Sequence, residues 1–480
     1  MSTTTPNRFS NAEEARRVFD LQHAPDNLQR MKNTTAKERV ERIRRIDRYL
    51  NDSVKKQLWM DALQTDLRKS REEAIATELA TIQVCMRHIY DELGEWMRDR
   101  PVSGPLAMLG MSSWVRHEPK GHVMVISPWN YPLQLAVNPM IHAIAAGNVV
   151  LLKPSEIAAA TSGFLKTMIG ELFDEREVAV VEGDVPTTTE LLSLPFHHIF
   201  FTGSPKVGKI VMRAASEHLT SVTLELGGKS PVIVDETANV KDAAEKVAWG
   251  KCINAGQTCI APDYALVHES KLEAFAAAFE KAVQQMYNRT GQGIAQSCDY
   301  CRIIDDRNFE RVKSLIDDAV QNGATLRVAG DMNPSDRLIA PHLLLGVSPD
   351  MRIMEEEIFG PVLPVLPVEN LDAAIEIISQ GEKPLALYIM SKSKKNIGYI
   401  LKQTTSGGVG INEVMVTSIN PNLPFGGVNH SGIGKSNGHY GFVEFSNERG
   451  VVKRKYLDFK MIYPPYKPAL ANLLGKLSRW

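Results

Sequence analysis

Cysteine is scarce, with five residues in 480. Scattered as they are, they exclude a disulfide scaffold and favour a reducing compartment. An excess of charge is lacking too. Lys plus Arg number 55 against 56 Asp plus Glu, which excludes a nucleic-acid binder working through a general positive field. No apolar run is clean enough to span a bilayer. The best one, residues 132–152, is interrupted by Asn138, Pro139, His142, Gly147 and Asn148, groups that lipid leaves unsatisfied. It reads as a buried helix entering a buried strand. Residues 1–10 show no secretory signal, and internal repeats and low-complexity tracts are absent. The expectation is a soluble, cytoplasmic protein.

What is present is ordinary globular composition, 44% apolar and 23% charged, which excludes wholesale disorder. At roughly 100–200 residues per domain, the length calls for two or three domains. The spacing predicts helices over 36–54 and 73–97, with the mixed charges near 37–48 forming a solvated face. Pro101, Gly104 and Pro105 open an extended stretch. From 121 to 234 short apolar strands (123–126, 149–152, 179–182, 198–201, 221–226) alternate with helices such as 161–173 and 206–217. A second alternating block runs from 231 to about 410 and includes 263–267, 309–322 and 371–380. Continuous apolar strands between helices imply parallel sheets covered on both faces. The fold class is therefore α/β, two such domains in tandem, with a late strand over 450–457.

Three local patterns carry chemistry. In His198-Ile-Phe-Phe-Thr-Gly-Ser-Pro-Lys-Val-Gly208 a strand stops, Gly203 turns, and Ser204 and Pro205 suit the N-cap and first position of a helix. Such an N-terminus can receive a pyrophosphate, although the pattern is not G-x-G-x-x-G and is equally a plain strand-to-helix turn. In Val222-Thr-Leu-Glu-Leu-Gly-Gly228 the alternation turns Glu225 away from the aliphatic side, at the end of a strand. There it is a general base beside a cleft or a salt-bridged carboxylate. In Asn254-Ala-Gly-Gln-Thr-Cys259 the cysteine follows a helix over 240–251 in a turn of small polar residues. Such a thiol is reachable by a ligand, whereas Cys252 within the helix suits an inert core role. Cys298 and Cys301 form a C-x-x-C with no second pair at ligand spacing, so no metal site is expected.

Seven motifs in order, Ser127-Pro-Trp-Asn-Tyr-Pro132, Lys153-Pro-Ser-Glu156, Phe201-Thr-Gly-Ser204, Leu224-Glu-Leu-Gly-Gly-Lys-Ser230, Gly256-Gln-Thr-Cys259, Glu355-Glu-Glu-Ile-Phe-Gly-Pro361 and Pro424-Phe-Gly-Gly427, resemble the NAD(P)-dependent aldehyde dehydrogenase superfamily over residues 20–465. The short N-terminal region, Cys259-Ile-Ala-Pro-Asp-Tyr264 and Tyr463-Pro-Pro-Tyr466 are similar to its class 3 branch, which includes fatty-, aromatic- and coniferyl-aldehyde dehydrogenases. The resemblance implies two doubly wound Rossmann-type domains plus a small β oligomerisation element. Residues 1–225 would bind NAD(P), interrupted by an arm near 101–123; 226–411 would be catalytic; 412–480 would return to the cofactor domain and end in the oligomerisation segment. Arm and late strand would build a homodimer.

The resemblance also implies roles. Cys259 would be the nucleophile, forming a thiohemiacetal and then a thioester, with its thiolate as the attacking species. Asn130 and the Cys259 N–H would receive the oxyanion. Glu225 would be the hydrolytic base and would also help deprotonate Cys259. Coenzyme-A-acylating relatives generally lack this glutamate, so a free acid is the expected product. Trp129, Lys153, Ser155, Glu156, Gly203, Ser204, Val207, Gly208, Leu226, Glu357 and Phe359 would hold NAD or NADP, a choice left open by Lys153. Tyr131, Thr258, Met415, Ile419 and Phe425 would line an apolar channel for a medium- or long-chain aliphatic or an aromatic aldehyde, a coniferyl type included. Met415 and Ile419 read equally well as core. Many class 3 members carry histidine where Asn437 stands, which leaves substrate identity open. A cofactor-independent cysteine esterase and a catalytically idle family member are the rival readings. The segment 451–480 holds seven Lys or Arg against one Asp. It is too short and polar to span a membrane; packing on a partner subunit is expected over contact with an acidic lipid surface.

Overall fold

Alternation of apolar strands with helices between 121 and 234 builds one sheet, and the computed structural model describes it within residues 12–105, 108–328, 330–456, 463–465 and 475. Its six strands lie in the order Gly432–Ile433, Ser221–Leu226, His198–Gly203, His122–Ile126, Val149–Lys153, Val178–Val180. All are parallel except Gly432–Ile433, which returns antiparallel onto Ser221–Leu226. The two-residue period sorts side chains between two cores. Val123 and Val125 join Ile43, Trp59 and Met140 on one face, while Met124 and Ile126 join Val18, Phe19 and Phe196 on the other. Val222, Leu224 and Leu226 share that second face, so Thr223 and Glu225 point to the opposite side.

A second sheet of seven strands runs Thr325–Val328, His342–Leu345, Val362–Val368, Tyr264–His268, Pro231–Val234, Ala386–Met390, Gly408–Ile411. Only Thr325–Val328, on the edge, is antiparallel to its neighbour. Strands and helices of this unit share one core. The helices Val240–Cys252, Asp306–Gln321 and Leu371–Gln380 match the expected positions within a few residues. The third element is a sheet of Arg100–Val102, Met111–Pro119 and Ser446–Arg454. Arm and late strand pair with each other over nine residues, from Ser446 opposite Pro119 to Arg454 opposite Met111. This is the α/β architecture that the motifs imply.

The N-terminal helices depart from expectation. The helix over 36–54 stops at Asn51, because the Asp52 carboxylate accepts from Val54 N (3.0 Å) and Lys55 N (3.1 Å) and starts a new helix, Ser53–Leu67. The stretch 73–97 holds a widened π turn, Ile75–Leu79, between Arg71–Ala74 and Ala80–Trp96. No helix among the described residues is long and apolar enough to cross a membrane. Beyond Tyr456 only 463–465 and 475 are described, so the basic tail, and Tyr466 of the Tyr-Pro-Pro-Tyr motif, lie outside the described residues.

Candidate active site

The helix Val240–Cys252 ends in a short turn whose backbone is left-handed at three successive residues, Asn254 (φ 52°), Ala255 (φ 51°) and Gly256 (φ 74°). This reverses the chain so that Cys259 emerges beside the carboxyl ends of the strands. A Cβ on Gly256 would stand 2.4 Å from the Gly360 carbonyl oxygen, so only glycine lets this loop dock on residues 357–361. Polar pins complete the anchorage. Asn130 Nδ2 donates to the Gln257 carbonyl at 3.0 Å, and Asn254 Nδ2 donates to the Asn130 carbonyl at 2.8 Å. Gln257 Nε2 donates to the Arg302 carbonyl at 3.0 Å, and Asn254 N to Glu73 at 2.9 Å.

One cavity of about 480 Å³ gathers Cys259, Glu225, Leu226 and the five expected channel residues Tyr131, Thr258, Met415, Ile419 and Phe425. Leu135, Trp249 and Ile253 extend its apolar wall. The Tyr131 hydroxyl and Thr258 Oγ1 are 2.8 Å apart, and Lys69 Nζ sits 4.2 Å from the Tyr131 ring centre. The π turn has a visible use here: it carries Glu78, fully buried against Lys69, and the Glu78 carboxylate accepts from Leu133 N and Gln134 N at the start of the helix Gln134–Ala146. Asn130 is buried behind the nucleophile loop rather than lining the cavity.

The two carboxylates differ in setting but share an electrostatic state. Burial pushes Glu225 up to about 8, against the downward pull of the Ser436 hydroxyl and Lys435. Its Oε1 accepts from Ser436 Oγ at 2.9 Å; its Oε2 is buried with no hydrogen-bond partner. Burial also pushes Glu357 up to about 8, helped by Asp263. A Cβ on Gly227 would stand 2.1 Å from Glu357 Oε2, so that glycine is a cradle for the carboxylate. Backbone pins hold it there: Arg311 donates to the Glu357 and Ile358 carbonyls, Lys229 to that of Glu356, and Asp263 accepts from Ile358 N.

Cys259 is partly exposed to the cavity, but burial, then Glu357 and Glu225, push its thiol up to about 12. The sulfur is accessible and its thiol protonated at rest, because desolvation and the two carboxylates oppose a negative charge there, so the thiolate expected as the attacking species has to be formed in the site. Cys252 is buried, as a core residue should be. Cys298 is exposed, while Cys301 is buried and donates to Glu73 at 3.4 Å.

Most of the expected cofactor residues lie at the carboxyl ends of four adjacent strands, Leu226 ending the first, while Glu357 and Phe359 come from the loop that packs on Gly227. Gly203 ends the second, Trp129 follows the third, and Lys153 ends the fourth. Ser204 caps the helix Pro205–Ser216 by accepting from Val207 N at 3.4 Å. A Cβ on Gly208 would stand 2.8 Å from Leu226 Cδ2, so this glycine draws the helix onto the strand. Lys153 Nζ is buried on Glu156 Oε2 at 2.6 Å, and Ser155 Oγ accepts from Ile157 N. Phe359 takes a left-handed backbone (φ 48°) and sets its ring edge-on to Trp129, centres 5.3 Å apart. An exposed helix N-terminus and a glycine-cradled carboxylate, on one edge, fit a dinucleotide's pyrophosphate and a ribose.

Sequence reasoning missed Ser436, Lys435, Glu444, Asp263 and Glu73. Asp263 sits within the quoted Ala-Pro-Asp-Tyr run and so had a signal; the others reach the site from distant segments with none.

The comparisons agree with this geometry. The model of the aldehyde dehydrogenase family matches residues 4–451. A 4,4'-diaponeurosporen-aldehyde dehydrogenase of Staphylococcus aureus is 44% identical over 85% of this chain and 88% of its own. A dimeric NADP-preferring aldehyde dehydrogenase of Rattus norvegicus is 42% identical over 89% and 93%. The substrate-bound structure of Staphylococcus aureus AldH superposes with a TM-score of 0.90 at 40% identity, covering 96% of this chain and 99% of that one. Motifs, strand-end chemistry and relatives converge, and the chain belongs to the aldehyde dehydrogenase family, the NAD(P)-dependent enzymes that oxidise aldehydes.

Proposed function

We propose that this enzyme oxidises an apolar aldehyde, aliphatic of medium or long chain or aromatic, to the free carboxylic acid. The observation that carries the reading is the single cavity in which Cys259 and Glu225 meet a wall of Leu135, Trp249, Ile253, Met415, Ile419 and Phe425. Bound at the strand ends, NAD(P)+ supplies the hydride acceptor. Gly203, Ser204, Val207, Gly208 and Leu226 would hold its pyrophosphate end, Lys153, Ser155 and Glu156 the adenosine ribose, and Glu357, Phe359 and Trp129 the nicotinamide ribose.

The chain's own residues do the rest. Cys259 Sγ bonds to the aldehyde carbon while its proton passes to Glu225, a carboxylate on the same cavity whose affinity for a proton lies near neutrality. The oxygen of the resulting thiohemiacetal takes a hydrogen bond from the Cys259 N–H; Asn130 Nδ2, held on the Gln257 carbonyl, would add a second by turning toward the cavity. Loss of hydride from that carbon leaves a thioester on Cys259. Glu225, having released the Cys259 proton to solvent, removes a proton from water as the water attacks the thioester, and gives that proton to the departing sulfur, so the acid leaves with the thiol restored. We further propose that the six-stranded sheet is the cofactor unit, the seven-stranded sheet the catalytic unit, and the exposed three-stranded sheet the seat of a homodimer in the cytoplasm.

The test follows reduced-nicotinamide absorbance with NAD or NADP and decanal, benzaldehyde or coniferyl aldehyde. Turnover with at least one is expected, rising as pH passes through about 8, where the Glu225 carboxyl loses its proton. Glu225→Gln should slow the first burst of reduced nicotinamide, because Glu225 takes the Cys259 proton, and should slow its steady release further, by about 10²–10³-fold. No signal with any aldehyde overturns the reading.

A further inference from the structure

The base Glu225 has only one oxygen tied, and the tie comes from Ser436 in the turn 434–436. We propose that Glu444 is a positioning residue for Glu225: it clamps the turn 434–436, and through that turn Ser436 fixes Oε1 so that Oε2 alone faces the reacting water. The inference rests on Glu225 being the hydrolytic base.

Four observations build it. Strand Ser221–Leu226 presents Thr223 and Glu225 on one face, two residues apart. Glu444 reaches the first of these, its Oε1 accepting from Thr223 Oγ1 at 2.6 Å, while its Oε2 accepts from Lys435 N at 3.2 Å. The turn presses so closely on Glu444 that a Cβ on Gly434, already left-handed at φ 87°, would stand 2.8 Å from Oε1. Two residues after Gly434, Ser436 meets Glu225 and is paired through its backbone with Phe425. One glutamate thus joins the strand below Glu225 to the loop above it.

The donor side of this chain has a consistent direction. Thr223 has a single hydroxyl hydrogen and gives it to Glu444, so it accepts from His198 Nε2 at 3.1 Å. That leaves His198 Nδ1 as a lone pair, facing Lys120 Nζ at 3.2 Å and Ser221 Oγ at 2.9 Å. Burial keeps His198 neutral, in agreement. A hydrogen-bond file, buried at His198 and Thr223, therefore runs from the Lys120 ammonium to the Glu444 carboxylate, and its order is transmitted to the general base. Lys435 adds to the brace by donating to the Gly426 and Gly427 carbonyls at 2.5 and 2.9 Å. The charged and titratable groups that face Glu225 are Lys435, Glu444 and Cys259.

Ser436→Ala and Glu444→Gln are compared with the wild type by pre-steady-state bursts and by the pH profile of steady turnover. Both variants are expected to keep burst amplitude and the aldehyde KM while slowing deacylation about tenfold at neutral pH. Losing the Ser436 hydroxyl, which holds the Glu225 proton affinity down, should move the rise of activity to higher pH, so that variant and wild type converge in alkali. Ser436→Thr, which keeps the hydroxyl, should restore both. Ser436→Ala combined with Glu444→Gln should be little worse than either alone, because the two act through one turn. An unmoved pH profile, a burst lost in proportion to turnover, or additive losses overturn the proposal while wild-type turnover leaves the dehydrogenase reading standing. If the wild type oxidises no aldehyde, the reading itself fails.

Discussion

The loop that carries Cys259 and the turn that opens at Gly203 are both short links beside the same strand ends, yet they are held in opposite ways. Residues 254–258 are buried, bent through three left-handed positions, and pinned by Asn130, Glu73 and the 302–304 backbone. The 203–208 turn has one capping bond of 3.4 Å, and Val207 beside it is 42% exposed. An attacking sulfur must be placed before substrate arrives, so its loop is over-determined by the protein. N–H groups meant for a phosphate must stay unpaired until the ligand completes them, so their turn is left open. Rigidity here marks the reacting atom, and openness marks the guest.

Three substitutions sharpen that contrast. Cys259→Ala should have the largest effect, lowering turnover by at least about 10⁴-fold, with the dissociation constant for NAD(P) unchanged within about twofold. Fluorescence titration of the cofactor against steady turnover checks both halves; retained turnover means another nucleophile. Gly256→Ala comes next. It places a Cβ 2.4 Å from the Gly360 oxygen at φ 74°, so urea unfolding should show a loss of about 2–4 kcal/mol. Alkylation of Cys259 should become faster as the loop loosens. An unchanged stability would mean that the loop is free to move, and the contrast would fail.

Legibility followed the same divide. Strand 221–226 was readable to the residue because Val222, Leu224 and Leu226 repeat every second position against Thr223 and Glu225, a local pattern that burial on one face enforces. The nucleophile turn was readable from Asn254 to Cys259 because small polar residues there have a local meaning. The helix Ser53–Leu67 was not, since Leu58 and Val54 are exposed while Trp59 and Leu63 are buried, and its apolar residues mark no clean stripe. The Asn-Asp-Ser sequence at 51–53 was the available signal. Ser436 and Glu444 could not be read at all: their meaning depends on a partner more than 200 residues away in the chain, |i−j| being 211 and 221. So could not the protonation of Cys259, which is set by burial and then by carboxylates from two other segments.

The smallest expected effect tests the open half of the comparison. Ser204→Ala removes the acceptor for Val207 N, and losing such a cap costs about 1 kcal/mol when the helix has nothing else to lean on. The helix Pro205–Ser216 does have other support, for Gly208, Val211 and Ala215 are buried against the sheet, so the loss should sit at the low end of the cap range, about 0.5 kcal/mol. The freed Val207 N–H then remains available to an anion, and Pro205 still presets the first turn. The KM for NAD(P) should therefore rise by only about two- to threefold, with kcat and the burst unchanged. A tenfold rise in KM would mean that the side chain itself, rather than the helix end, receives the phosphate, and the turn would then be as protein-determined as the loop around Cys259.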